Sequence, residues 1–454
     1  MLLASKHLTA PGPMRLKPLW LLALLSGGAP ALATQGTQDT PGFLEGANLE
    51  VLSRNFYLNN DYRSPTPAGK SYKQEWAQGF IASFESGFTP GTIGVGVDAH
   101  GFLGLKLDGG KGHSGTGLLP LDHDGRSEDS YSSAGGALKF KASRTTLALG
   151  EMTVATPVFD TADKRLQPEY ASGLLLSSRE LEGLDLQAGH FNAFKNQDAS
   201  TAKGDFSGYG ATTRHASIDF IGADLFADLF AGQALGGALY ASELSDTWRQ
   251  YYANLHASLG QLFLDGNLYR TRDQGQAAAG AIDTTAYSLS GKYRIDAQAF
   301  TLAYQKIHGD TPFDFVGGDS IYLANSIKYA DFNGPGERSW QARYDLDLGA
   351  LGIPGLSFMA RYVSGRGIDG SHAPQGGAYN PFDSASGTYS PQQGRGGRHW
   401  ERDLDLHYIV QSGPAKDLSL QLSHVSHRAN AAQAGDDIDR LYIVIQYPLK
   451  LGPF

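Results

Sequence analysis

Cysteine is absent from the 454 residues, and methionine occurs only 4 times. Without cysteine there is no disulfide framework, no thiolate zinc site, no iron–sulfur cluster and no thiol nucleophile. An excess of positive charge is also missing. The net charge is −9, which argues against a nucleic-acid binder with a basic face. Past the N-terminal region no stretch holds 18 consecutive apolar residues, so no spanning helix is available. Helical periodicity is scarce as well. What is abundant is glycine, 58 residues, nearly twice the usual ~7%, with 22 tyrosines and 22 phenylalanines. That balance fits a β-rich protein that crosses an oxidising compartment.

The N-terminal segment reads as an address. Arg15 and Lys17 precede an apolar run from Leu19 to Leu25, and small residues lead to Ala31-Leu32-Ala33. This is a secretory signal peptide over residues 1–33, with Met14 an alternative start. Residues 34–454 read as one domain.

Alternation with period two runs through that domain. Trp340, Ala342, Tyr344 and Leu346 share one face, while Gln341, Arg343 and Asp345 share the other. Tyr287, Leu289, Tyr293 and Ile295 oppose Ser288, Ser290, Lys292 and Arg294. The same pattern recurs at 300–305, 356–362, 403–410 and 418–423. Short turns at 296–298 and 352–355 alternate with long polar loops at 364–399 and 123–134, and aromatics gather near strand ends. The expectation is an all-β transmembrane antiparallel up-and-down β-barrel, closed by a final strand over 441–451 against the first. At about 23 residues per strand and loop, 34–454 gives about 18 strands, enough for an aqueous lumen. A secreted β-sandwich or β-helix is the alternative.

Long strings extend this reading. LSRNFYLNNDYR (52–63), QEWAQGFIASFESGFTPGTIGVGVDA (74–99), GTGLLPLDHDGR (115–126), SIYLANSIKYADFNGPGERSWQARYD (320–345) and YIVQSGPAKDLSLQLSHVSHRAN (408–430) resemble the OprD family of outer-membrane porins, as does the closing IQYPL (445–449). The resemblance implies an 18-stranded barrel in the outer membrane. Its third and seventh outside loops fold inward to constrict the lumen, and it passes small water-soluble solutes down their gradient, mostly carboxylate-bearing nutrients such as amino acids, short peptides or aromatic acids. Its implied partners are the solute, outer-membrane lipid and the barrel-insertion machinery, with the barrel a monomer or a loose trimer. It implies no cofactor, no metal and no nucleic acid.

The resemblance also carries a basic ladder over to Arg54, Arg63, Arg165 in the inward loop (150–173) and Arg440. Alternation independently puts Arg343 and Arg361 on polar faces, where a salt bridge to Asp345 or Asp403 is the competing role. The constriction resembles Arg165 facing Tyr329 and Asp331. Where the ladder often has two arginines on the penultimate strand, this chain has Gln421 and Ser423. A thinner ladder suits a less charged or zwitterionic solute. His424 and His427, three apart on a strand, face opposite ways and cannot share a metal. The alternative function is a barrel enzyme, a serine hydrolase using His190, Asp246 and Ser320, although no G-x-S-x-G elbow surrounds Ser320.

Overall fold

The computed structural model describes residues 42–64, 71–109, 112–206, 216–228 and 233–450. The signal-peptide reading of residues 1–33, with its alternative start at Met14, lies outside them, as does Leu451 of the expected closing strand.

Eighteen strands form one antiparallel sheet that closes on itself. The first nine are β1 (Asn48–Tyr62), β2 (Tyr72–Glu85), β3 (Gly94–Asp108), β4 (Ser130–Ala142), β5 (Thr145–Met152), β6 (Tyr170–Ser178), β7 (Leu184–Lys195), β8 (Ile218–Asp228) and β9 (Ala234–Leu244). The second nine are β10 (Trp248–Leu259), β11 (Leu262–Asp273), β12 (Asp283–Ile295), β13 (Gln298–His308), β14 (Arg338–Asp347), β15 (Leu356–Asp369), β16 (Arg395–Ile409), β17 (Ser419–Ala429) and β18 (Ile438–Lys450). Closure is made by β1 on β18, in register from Glu50 opposite Lys450 to Tyr62 opposite Ile438. No backbone edge is then left for lipid to contact, as a spanning sheet requires.

The burial pattern is inverted relative to a soluble protein. Leu289 and Leu302 are 59% and 68% exposed, while Ser288 and Gln305 are fully buried. An apolar outer face can be stable only in hydrocarbon, so the sheet is a membrane barrel and not a sandwich. Aromatic pairs band the outer wall at two heights. Tyr304 packs on Trp340 and Phe300 on Tyr344, with Leu302 between. Amphipathic rings at both interfaces anchor the barrel vertically.

One rim carries short turns, such as Asp296-Ala297 between β12 and β13, where Asp296 takes φ +48. The connection from β14 to β15 includes a short 3-10 turn, Leu348–Leu351, ending on Gly352 at φ +90. The other rim carries the long loops. Two of these are shorter or shifted relative to the sequence expectation. The loop expected at 364–399 spans 370–394, because β15 and β16 continue to Asp369 and from Arg395. Gly365 and Gly367 interrupt the apolar pattern there without ending the strand. The loop expected at 123–134 runs from 109 to 129.

Two long loops turn inward. Loop 153–169, the third on its rim, packs with loop 309–337, the seventh, against the inner wall. Phe159, Phe191, Phe194, Tyr269 and Phe313 form a buried aromatic cluster between them and β7–β11. This apolar filling closes one side of the lumen, and the open cavity lies on the side of β12–β18 and β1.

Candidate functional site

The two inward loops are locked into one unit. Asp160 N–H donates to Ser320 Oγ at 2.7 Å, and Tyr322 Oη donates to Asp160 Oδ2 at 2.6 Å. Lys164 forms an ion pair with Asp319 and donates to the Gly318 carbonyl at 2.7 Å. Glu169 Oε2 accepts from Ala162 N–H at 2.7 Å and Gly318 N–H at 2.9 Å. At the crossing, Gly317 has φ +86, and a Cβ there would lie 2.6 Å from the Asp160 carbonyl oxygen. Only glycine fits that approach.

The unit is pinned to the wall at several points. Glu401 on β16 accepts from Tyr329 N–H at 2.9 Å and Ala330 N–H at 2.8 Å. Gln305 on β13 donates to the carbonyls of Asp331 and Phe332. A chain runs from the Glu337 carboxylate to His399 at 2.7 Å and from His399 to His427 at 2.8 Å. His427 faces inward toward His399, so its use is to brace the loop. Among the described residues no cluster has the make-up of a metal site.

Arg54 is the strongest pin. Its guanidinium, 1% exposed, grips Asp163 through two bonds of 2.6 and 2.8 Å and donates to the Arg165 carbonyl at 2.8 Å. The structure therefore places this ladder candidate as a clamp on the third loop, with its charge compensated. Arg63 lies at the long-loop rim, half exposed, paired with Asp439 and Asp61. Arg343 pairs with Asp345 and Arg361 with Asp403, each at 2.6 Å. The salt-bridge role considered for these two is the one the geometry displays.

Arg165 and Arg440 differ from the rest. Arg165 donates through Nη1 to the Lys164 carbonyl at 3.0 Å, and its buried Nε has no partner. Burial, with Arg440 adding to it, pushes the Arg165 pKa down from its ordinary value. An arginine still keeps its charge at neutral pH. Arg440 lies 4.3 Å from the centre of the Tyr329 ring and bonds Tyr442 Oη at 3.3 Å, and its Nε also lacks a partner. Among the described residues neither makes an ion pair. Each guanidinium keeps a buried Nε without a hydrogen-bond partner, and Arg440 stands beside Tyr329 and Tyr442.

Tyr329 is the ring against which Arg440 stacks. Asp331 is not among the residues that line the cavity below the loops. Its carboxylate accepts from Ser326 Oγ at 2.6 Å, and burial raises its pKa. Asp319, paired with Lys164, is the acid that the seventh loop presents to the cavity. Sequence reasoning missed Asp319, Asp163, Lys164 and Lys328, because loop residues have no period to place them.

Below the loop unit, toward the short-turn rim, opens a cavity of about 580 Å³. Lys292, Arg294, Arg343, Arg361, Gln421 and Ser423 line it.

The three hydrolase candidates are each given a different partner. His190 binds Asp219 at 2.7 Å in the outward row with Leu186 and Ile221. Asp246 accepts from Gln276 N–H at 3.3 Å in a turn, and Ser320 is wholly buried against Asp160. None of these three side chains bonds another of the three.

Glu169 supplies a pH-dependent charge. Burial raises its pKa to about 7. It is neutral below that value and negative above it, beside Lys164. Anion preference should therefore fall as pH rises from 5 to 9, with a midpoint near 7, measured as reversal potential. Glu169→Gln should flatten the curve at its low-pH level. An unchanged curve in that variant would assign the titration elsewhere.

A closed antiparallel barrel with an apolar belt, an aqueous lumen and inward loops that narrow it defines an outer-membrane channel. The comparisons agree. The model of the family described as "outer membrane porin, OprD family" matches residues 41–451. Porin D of Pseudomonas aeruginosa is 46% identical over 427 residues, covering 91% of this chain and 93% of that protein. The porin-like protein GalP of Pseudomonas putida is 35% identical over 418 residues, covering 90% and 93%. Among solved structures, Pseudomonas aeruginosa OprD superposes with a TM-score of 0.77 at 43% identity, covering 91% of this chain and 98% of that one. Pseudomonas aeruginosa OpdK, solved with vanillate, gives 0.77 at 37%, covering 90% and 100%. The chain belongs to the OprD family of outer-membrane porins and resides in the outer membrane.

Proposed function

We propose that this porin is a passive channel selective for small solutes bearing a carboxylate, such as amino acids, short peptides or aromatic acids. The observation that carries the reading is the pair Arg165 and Arg440, each with an unpartnered buried Nε and, among the described residues, no ion pair. A carboxylate offers the planar pair of acceptors that a guanidinium fork matches. Passage also requires release, and two adjacent weak sites transfer a solute better than one deep one. Vanillate is a carboxylate, and its presence on the related OpdK supports the chemistry. Arg63 at the rim, then the arginine pair, then Arg343 and Arg361 in the cavity offer a descending path. Tyr329 contributes an apolar face for an aromatic solute.

Each barrel has its own lumen, closed by β1 on β18, so transport does not require assembly, and the chain works as a monomer or in a loose trimer. The apolar strand β18 is the segment that insertion machinery would engage. The separated positions of His190, Asp246 and Ser320 favour a channel over a hydrolase. The test is uptake into proteoliposomes of benzoate against benzamide, and of an amino acid against its amide. The carboxylate should enter faster in both pairs. Equal rates would refute the preference.

A further inference from the structure

We propose that the Lys328–Asp405 ion pair sets the charge selectivity of the cavity below the constriction. The inference rests on the channel reading and adds a second selectivity element to it. Among the described residues four ion pairs border the cavity, of which Lys164–Asp319 joins the two inward loops to each other. Arg343–Asp345 lies within one strand, and Arg361–Asp403 joins two paired strands. Lys328–Asp405, at 3.0 Å, joins the seventh loop to the wall strand β16. Lys328 and Asp405 both line the cavity. The Lys328 ammonium also donates to Ser423 Oγ at 3.0 Å and lies 5.7 Å from the Tyr442 ring centre.

The neighbours make this pair matter. Gln421 and Ser423 carry no charge, and Gln421 spends a donor on Ser423 at 3.3 Å. The wall beside β17 therefore takes its charge from Lys328, delivered from the loop. Asp405 cancels that charge and leaves the stretch neutral. Removing either partner uncovers a unit charge of known sign in a narrow lumen, where walls of low dielectric focus the field. The seventh loop does not depend on the pair for its position. Glu401 and Gln305 hold its backbone independently.

The experiment is the reversal potential of the full-length porin in planar bilayers under a potassium chloride gradient. Asp405→Asn should raise the chloride-to-potassium permeability ratio about three-fold, the size of one unit charge acting across about 7 Å of water. Lys328→Gln should lower it by a similar factor. The double variant should return to the wild-type ratio, because the two charges cancel. A loosened loop would instead move both single variants in the same direction. If Asp405→Asn does not insert, Ser423→Lys adds a cation at the same place and should also raise the ratio. The proposal fails if the single variants shift together, if neither shifts, or if Ser423→Lys leaves the ratio unchanged. Arg165→Ala in the same bilayers separates the two levels. A shift there without one at Lys328 or Asp405 overturns this inference alone, whereas a wild-type barrel that carries no current overturns the channel reading.

Discussion

Arg165→Ala should slow entry of a small carboxylate about ten-fold and leave its neutral amide nearly unaffected. One charge-assisted contact at a partly dry site contributes roughly 1.5–3 kcal/mol. Each ~1.4 kcal/mol is a factor of ten. Among the described residues the side chain bonds only the carbonyl of its own neighbour, so its removal should cost the loop little. The effect should therefore appear in discrimination between the acid and the amide and not in the amount of folded barrel. Arg165→Lys keeps the charge but loses the fork, and should recover only part of the rate. If benzoate and benzamide slow equally in Arg165→Ala, the residue shapes the pore and does not read the carboxylate.

The second large effect is expected at Arg54, with a different signature. Arg54→Met removes the two-bond grip on Asp163 and the bond to the Arg165 carbonyl. Such charge-assisted bonds contribute about 2 kcal/mol here, less than a fully buried pair, because Asp163 is half exposed. About 2 kcal/mol raises the undocked fraction of the third loop roughly thirty-fold. The unitary conductance should become larger and noisier, and acid–amide discrimination should fall for every solute. Arg54→Lys distinguishes a clamp from a ladder rung. A rung needs only charge and would tolerate lysine, whereas a clamp needs the fork and should behave like Arg54→Met. Heat-modifiable mobility on gels should stay normal in both, since strand pairing is untouched.

The contrast between these two arginines explains what sequence could reveal. Wall residues were legible because their environment repeats every second position. Leu289 and Leu302 had to face lipid, and Ser288 and Thr301 the interior, once the alternation was recognised. Closure followed from an apolar strand at the end of the chain, although its limits shifted to Ile438–Lys450. The polar faces holding Arg343 and Arg361 were equally visible, with their acids Asp345 and Asp403 already named as partners.

The loop unit was not legible in this way. Arg54 and Asp163 are 109 positions apart, and nothing periodic links a strand to a loop that folds back inside it. The same holds for Lys328, whose partners Asp405 and Ser423 lie on two different strands. Asp331 was the expected acid at the constriction, yet the loop turns it toward Ser326 and presents Asp319 to the cavity. That choice is made by the crossing at Gly317 and the bonds to Glu169. Spacing also could not show that His399 would meet His427, because strand register brings them together. The residues that line a pore are chosen by how its loops pack, and packing inside a barrel leaves no one-dimensional trace.

We assign a preference for anionic solutes to Arg165 and Arg440, which among the described residues make no ion pair and keep an unpartnered Nε each. The most direct test is the reversal potential of the purified barrel in a potassium chloride gradient at neutral pH, for wild type and for Arg165→Gln/Arg440→Gln. Chloride should be favoured in the wild type, and the double variant should lose this preference while still conducting. An identical permeability ratio in the two proteins would contradict it.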